Sequence, residues 1–437
     1  MILPSNMLNP GAHSSPEPDS KWISVWAAAE QGPYPVGNPA AQPDLQYAFP
    51  DEASGANNQS FRLIVRPSRW GSHARIRLSN SFGTQSVVFE GVSVGLHAYG
   101  SSIVAGSSRP VLFAGQSKVI IPAGESVWSD AVELPIHKQA FPLLEGRKIA
   151  VSFAVVGSSG PMTWHAKSLS TSYLSNPNTV ASANDDAGLE LPYSTISTYF
   201  LDVVDMRMPG DTQVVVALGD SITDGVGSTL NGDDRWPDVL NQRLHAAYGD
   251  KFSVVNLGMG GNQIIGPSVY TAQQAFRGGP AAVSRIDTDI VKLSGVSTVI
   301  WMQGINDFSE NGRASLDDVI QGMTGAIAKL RECVSGVRII GATLTTAYGS
   351  TSAAHGSLEQ DNKRKALNDF IRSSQLFDGY VDFDLATRDP ASGKLQKQFV
   401  PDSTIGGPGD GVHPNRAGYQ AMGKAIDLEM LLNPGAK

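Results

Sequence analysis

Only one of the 437 residues is a cysteine, Cys333, so no intramolecular disulfide can form and the fold must rest on its core. The thiol lies in Ala328-Lys-Leu-Arg331-Glu-Cys333-Val, which reads as a helix end, and it is expected to be a buried structural residue. No stretch of about 18 consecutive apolar residues occurs, so no membrane span is expected. The opening segment, MILPSNMLNPGAHSSPEPDSKW, has no basic stretch followed by an apolar core and does not read as a secretion signal. Residues 1–20 are expected to form a flexible tail. A signal removed earlier would leave no trace, so cytoplasmic and secreted locations both stay open for a soluble protein. Basic runs are also missing. The 33 Lys and Arg are outnumbered by 41 Asp and Glu, for a net charge of −8, and no Lys/Arg-rich patch could track phosphates, which argues against a nucleic-acid partner.

What is present fits a large globular chain: 41% hydrophobic and 17% charged residues, and a length that favours two domains over one. The sequence leaves the oligomeric state open. From Trp22 to about Tyr199, short β-type runs alternate with Gly, Pro, Ser and Asn. Phe61–Arg66, Ala74–Ser79, Lys118–Ile121 and Lys148–Val156 are the clearest. In Arg75-Ile76-Arg77-Leu78, polar and apolar residues alternate, which places one face in a core and the other in water. Residues 21–205 are therefore expected to form an antiparallel, jelly-roll-like β-sandwich. After Pro209-Gly210 the pattern changes. Apolar strands at Val214–Leu218, Ser253–Leu257, Thr298–Met302, Arg338–Leu344 and Gly379–Phe383 alternate with helical patterns at Trp236–His245, Ser315–Cys333, Leu358–Ser374 and Pro414–Leu432. Residues 212–437 are thus expected to be an α/β domain with a parallel sheet and helices on both faces. Its site should lie beyond the carboxyl ends of the strands.

Four of those ends carry chemistry-bearing residues: GDSITDG at 219–225, NLGMGGN at 256–262, GIND at 304–307, and DGVHP at 410–414. Ser221 follows a buried strand, and as a nucleophile it needs a base within hydrogen-bond reach. Taken alone it reads equally well as a helix or turn cap. His413 is distinguished among eight histidines by Asp410 three residues earlier, a spacing that lets the carboxylate fix the imidazole tautomer. Pro414 suits the first turn of the helix that follows. Gly261 can bring its N–H close to a ligand and Asn306 can offer a carboxamide. With the Ser221 N–H they make a three-donor oxyanion hole. A plain loop glycine and a turn or cap asparagine are the bland alternatives. His245, on a helix, and His355, in the Gly349–Gly356 loop, have no comparable setting.

The joint occurrence of these blocks, in this order, resembles the SGNH branch of the GDSL hydrolases, whose blocks supply Ser, Gly, Asn and His. The resemblance covers about residues 212–432. It implies a flavodoxin-like three-layer α/β/α fold. It also implies a double-displacement ester hydrolysis with no metal or cofactor: Ser221 as nucleophile, Gly261 and Asn306 as oxyanion donors, and Asp410 and His413 as acid and base. The implied substrates are small-molecule or carbohydrate esters, with short acyl groups such as acetyl expected first. Loops Gly266–Gly279 and Thr346–Gly356 are expected to shape the pocket.

Other readings are open. Asp220, Asp224, Asp233, Asp234, Asp307 and Asp410 suggest a metal-dependent phosphoesterase, against which stands the scarcity of histidine in this half. A catalytically idle carbohydrate-binding protein would use exposed aromatics, for which Trp70, Trp128 and Trp164 are candidates. Gly91-Val-Ser93-Val-Gly95 fits a nucleophile-elbow spacing, yet lies in a β-rich region with no helix after it. Ser93 is expected to sit on one face of a strand.

Overall fold

The computed structural model describes residues 19–34, 45–50, 53–180, 190–271 and 274–432. Residues 1–18 of the expected tail, and residues 272 and 273 of the Gly266–Gly279 loop, lie outside them. At Ser20 the chain is already in a strand, Ser20–Ala27, whose pairing runs from Ser20 opposite Pro209. The chain divides into two compact units, Met1–Thr212 with Thr271–Ala275, and Gln213–Tyr270 with Phe276–Lys437.

The first unit is built on two antiparallel sheets. One orders Ser20–Ala27, Leu201–Pro209, His73–Ser79 and Ser126–Trp128; the other centres on Asn57–Val65, Ile149–Ser158 and Val87–Tyr99. Their shared core is aromatic. Phe61 stacks on Phe153 at 5.2 Å, and Phe89 meets Phe200 edge-on at 5.2 Å, geometries in which ring edges and faces attract. The alternation at 75–78 buries Ile76 and Leu78 fully, but Arg77 is buried as well. Its guanidinium pairs with Asp202 at 2.6 Å, so this position of the polar face is covered by a partner instead of water. Ser93 lies inside the strand Val87–Tyr99, which continues past it with no helix.

The second unit is a five-stranded parallel sheet: β1 (Gln213–Gly219), β2 (Phe252–Gly258), β3 (Val296–Met302), β4 (Arg338–Ala342) and β5 (Gly379–Val381), in the order 2-1-3-4-5. Between and after them run α1 (Ser221–Asp224), α2 (Trp236–Tyr248), α3 (Ala282–Ile286), α4 (Leu316–Cys333), α5 (Leu358–Ser373), α6 (Phe383–Thr387), α7 (Arg416–Ala425) and α8 (Glu429–Leu432). The residues of β1, Gln-Val-Val-Val-Ala-Leu-Gly, are buried from Val214 onward, because helices cover both faces. Val215, Ile300 and Ile340 pack with Trp236, Leu240 and Tyr419 of α2 and α7. On the other face a Cβ at Gly341 would sit 2.9 Å from Ile371 of α5. The two longest helices, α4 and α5, start at side-chain caps: Ser315 accepts from Asp318 N–H, and Ser357 forms a capping box with Gln360, satisfying donors that the first turn leaves unpaired.

Several boundaries differ from the sequence pattern. The expected helix 414–432 is two helices. Asn415 caps α7 by accepting from the N–H groups of Ala417 and Gly418, which leaves Pro414 outside the first turn, and extended backbone at Ile426 separates α7 from α8. The fifth strand stops at Val381 because the Asp382 carboxylate accepts Leu385 N–H and starts α6. β4 ends at Ala342, two residues short of the expected Leu344, where Leu344 N–H turns to the Asn368 side chain. Cys333 is exposed: it is the last residue of α4, beyond Leu330, where the buried stripe ends. Among the described residues no helix is long and apolar enough to cross a membrane.

Candidate active site

The parallel register aligns the ends of β1, β2 and β3, with Gly219 opposite both Gly258 and Met302. The sheet order reverses at β1, since β2 lies on one side and β3 on the other, and such a point opens a crevice beyond the carboxyl ends. Ser221 stands there. It opens the one-turn helix α1, and it is not the cap. Asp220 takes that role, accepting Ile222 N–H at 3.0 Å. Ser221 Oγ lies 2.8 Å from His413 Nε2, and His413 Nδ1 lies 2.6 Å from Asp410 Oδ2. The other Asp410 oxygen accepts the N–H groups of Val412 and His413 at 2.8 and 2.9 Å, so the carboxylate holds both the imidazole and the loop that carries it. A hydroxyl, an imidazole and a carboxylate in one hydrogen-bonded chain can move a proton off the hydroxyl.

The amide donors sit on neighbouring loops. Gly261 has φ +76°, a left-handed conformation that glycine adopts without strain. Gly258 lets the loop dock against α1, since a Cβ there would lie 2.1 Å from Asp224 N. The Asp224 carboxylate then accepts Gly260 N–H at 3.1 Å. Asn306 Nδ2 donates to the Asn262 carbonyl at 3.1 Å, which joins the Asn306 loop to the glycine loop and leaves its second amide proton for another acceptor.

Residues 217–421 match the GDSL-like lipase/acylhydrolase family. This segment belongs to that family. The unit carrying it is accordingly an ester hydrolase. No curated protein matches the chain. Among solved structures, an aryl esterase of M. smegmatis is 16% identical, with 49% of this chain and 96% of that chain aligned and a TM-score of 0.36. A carbohydrate acetylesterase from Sinorhizobium meliloti is 16% identical over 49% and 96%, with a TM-score of 0.35. A carbohydrate acetylesterase family member from the same organism is 21% identical over 51% and 100%, with a TM-score of 0.36.

Beneath the hydrolase site lies a buried polar frame that the motifs did not reveal. Asn262 Nδ2 donates to the carbonyls of Gly278 and Pro280, and its Oδ1 accepts from Gln303 at 2.8 Å and from Arg285 at 3.0 Å. Arg285 in turn pairs with Asp289 at 2.5 Å. A buried charge is tolerated when paired and hydrogen-bonded in this way. The Asp307 carboxylate accepts the N–H groups of Ile264 and Ile265, pinning the far end of the glycine loop. The six carboxylates that suggested a metal site therefore have protein partners: Asp224, Asp307 and Asp410 as above, Asp220 at its cap, Asp233 with the charge of Arg235, and Asp234 with Thr229 N–H and Arg416. Among the described residues no three His, Cys, Asp or Glu side chains group as a metal's donors would. Of the tryptophans taken as exposed, Trp70 and Trp164 are buried. Trp128 is half-buried, with Arg75 stacked 4.1 Å from its ring centre, so packing of the β unit accounts for them.

Burial works against the Asp410 carboxylate, but the His413 imidazole, through its hydrogen bond and charge, holds the carboxyl well below the usual carboxylate range. Asp220 and Asp307 go the other way. Burial pushes them up to about 7 and about 6, and the hydrogen bonds they accept only partly offset it. A raised carboxyl pKa means that the folded state gains a proton before the unfolded chain does, so stability from this source rises as pH falls from above 7 toward 4. Histidines kept neutral by burial, His73 and His97 among them, oppose this, and a comparison with Asp220→Asn isolates the carboxyl. Between pH 8 and pH 5.5 the wild type is expected to gain about 2 kcal/mol relative to Asp220→Asn. Denaturant unfolding at the two pH values measures it, and a constant difference between the two proteins would refute it.

Proposed function

We propose that this hydrolase cleaves carboxylic esters by double displacement through an acyl-enzyme on Ser221. The observation that carries the reading is the hydrogen-bonded chain from Ser221 Oγ through His413 to Asp410, at 2.8 and 2.6 Å. His413 Nε2 takes the hydroxyl proton as Oγ attacks the acyl carbonyl, and Asp410 stabilises the imidazolium that forms. The carbonyl oxygen becomes an oxyanion, for which Ser221 N–H, Gly261 N–H and Asn306 Nδ2 are the donors. His413 then protonates the leaving alcohol, and the same imidazole activates the water that releases the acid. No step calls for a metal or cofactor.

The acyl group is proposed to be short, acetyl first. What supports this choice is the resemblance of residues 217–421 to the GDSL-like hydrolases, among which short-acyl esters are the commoner substrates. A series of p-nitrophenyl esters from acetate to decanoate, run beside acetylated sugars and with EDTA present, tests both parts. Turnover falling steeply beyond butyrate and unaffected by EDTA is expected. Equal rates at all lengths would remove the short-acyl assignment, and loss with EDTA would return the phosphoesterase reading. A fluorophosphonate probe is expected to label Ser221, located by peptide mass.

A further inference from the structure

The loop between β4 and α5 touches both arms of the site. Thr351 N–H and its hydroxyl donate to the Asp410 carbonyl at 2.9 and 3.2 Å. Four residues on, His355 Nε2 lies 3.1 Å from Asn306 Oδ1, and His355 Nδ1 lies 3.1 Å from the Ser352 hydroxyl. These contacts fix the protons. Asn306 Nδ2 donates to the Asn262 carbonyl, so the oxygen of that carboxamide faces His355, and His355 must donate to it from Nε2. Nδ1 is then the acceptor for Ser352. The loop is braced in turn: Ala354 carbonyl accepts Glu310 N–H at 3.2 Å and Gln360 Nε2 at 2.9 Å, and Gly356 N–H donates to Gln360 Oε1 at 3.1 Å.

Building on the acyl-enzyme reading above, we infer that His355 is a positioning residue for the oxyanion hole, orienting the Asn306 carboxamide so that its amide proton faces the developing oxyanion. Two donors, His355 Nε2–H and the oxyanion-facing geometry of Nδ2, are coupled through one planar group. An Asn side chain is nearly symmetric in shape, and only its hydrogen bonds distinguish oxygen from nitrogen. With Oδ1 held by His355 and one Nδ2 proton held by Asn262, the remaining proton has a single direction. An oriented donor is worth more in the transition state than one that must first rotate. Burial first, and then the charge of neighbouring His413, lower the His355 pKa, with Asp410 opposing. The ring is thereby kept neutral, in the form that can both donate to Asn306 and accept from Ser352.

The experiment is a double-mutant cycle on p-nitrophenyl acetate with kcat and KM measured separately. His355→Leu is expected to lower kcat about 10-fold with KM nearly unchanged, a fraction of the roughly 10²–10³-fold loss expected for Asn306→Ala. His355→Gln, whose amide can reach as Nε2 does, is expected to restore most of kcat. Because the histidine acts through the asparagine, adding His355→Leu to Asn306→Ala should cost almost nothing further. An equal 10-fold loss in the Asn306→Ala background, or a His355→Gln variant no better than His355→Leu, would overturn the positioning role while leaving the acyl-enzyme reading intact. Wild-type kcat in Asn306→Ala alone would instead remove the asparagine, and His355 with it, from the oxyanion hole. Thermal unfolding of the His355→Leu and His355→Gln variants shows whether each is folded.

Discussion

Ser221→Ala is expected to reduce kcat/KM for p-nitrophenyl acetate by about 10⁵–10⁶-fold while leaving the fold in place, the scale found when a nucleophile acting as one unit with its base is removed. The change is local. Ser221 Oγ bonds His413, the start of α1 is secured by the Asp220 side chain, and alanine is a good helix residue. What disappears is the atom proposed to form the acyl-enzyme; the proposed oxyanion donors and the imidazole remain and would account for the residual rate. Initial-rate kinetics together with near-ultraviolet circular dichroism make the measurement. A folded Ser221→Ala variant retaining a tenth of the activity would remove the serine from the mechanism.

Asp410→Asn probes the proton more finely. The asparagine oxygen can still accept the N–H groups of Val412 and His413 that Asp410 Oδ1 takes now, so the loop keeps its shape. Its amide nitrogen then faces His413 Nδ1 where Asp410 Oδ2 now lies at 2.6 Å. An amide donor there forces Nδ1 to become an acceptor and moves the imidazole proton to Nε2, the nitrogen that must receive the proton of Ser221. The expected loss in kcat is about 10⁴-fold. Initial-rate kinetics on p-nitrophenyl acetate, with circular dichroism to check the fold, make the measurement. Full activity in a folded Asp410→Asn variant would show that the carboxylate plays no part in orienting the base.

The legible parts of the site were those whose chemistry is written in short runs. GDSITDG and DGVHP carry a serine and a histidine with a carboxylate three residues before it, and that spacing brings Asp410 to His413. The places of Asn306 and Gly261 in loops after strands β3 and β2 were also legible, while their part as oxyanion donors belongs to the proposal. The setting of His355 was not legible. Its neighbours in sequence are small residues with no chemical signature, and its partner Asn306 is 49 residues away, so only the packing of the β4–α5 loop gives it a setting unlike any other turn histidine. The frame of Asn262, Arg285 and Gln303 was equally hidden, because three polar residues at unrelated spacings look like surface until their burial is known. The tryptophans erred in the opposite direction. Trp70 and Trp164 lie in polar, glycine-containing stretches that suggest exposure, yet both are buried.

By itself the sequence determined the two architectures, the alternation of buried strands with amphipathic helices in the second half, and the residue types at each strand end, since periodicity and turn chemistry are local properties. The tertiary structure decided which of those residues meet. The order 2-1-3-4-5 brings the ends of β1, β2 and β3 to one edge, and Ser221 touches a histidine 192 positions away. Contact across such a distance depends on how the sheet is wound and how the loops pack over it, and no local pattern encodes that.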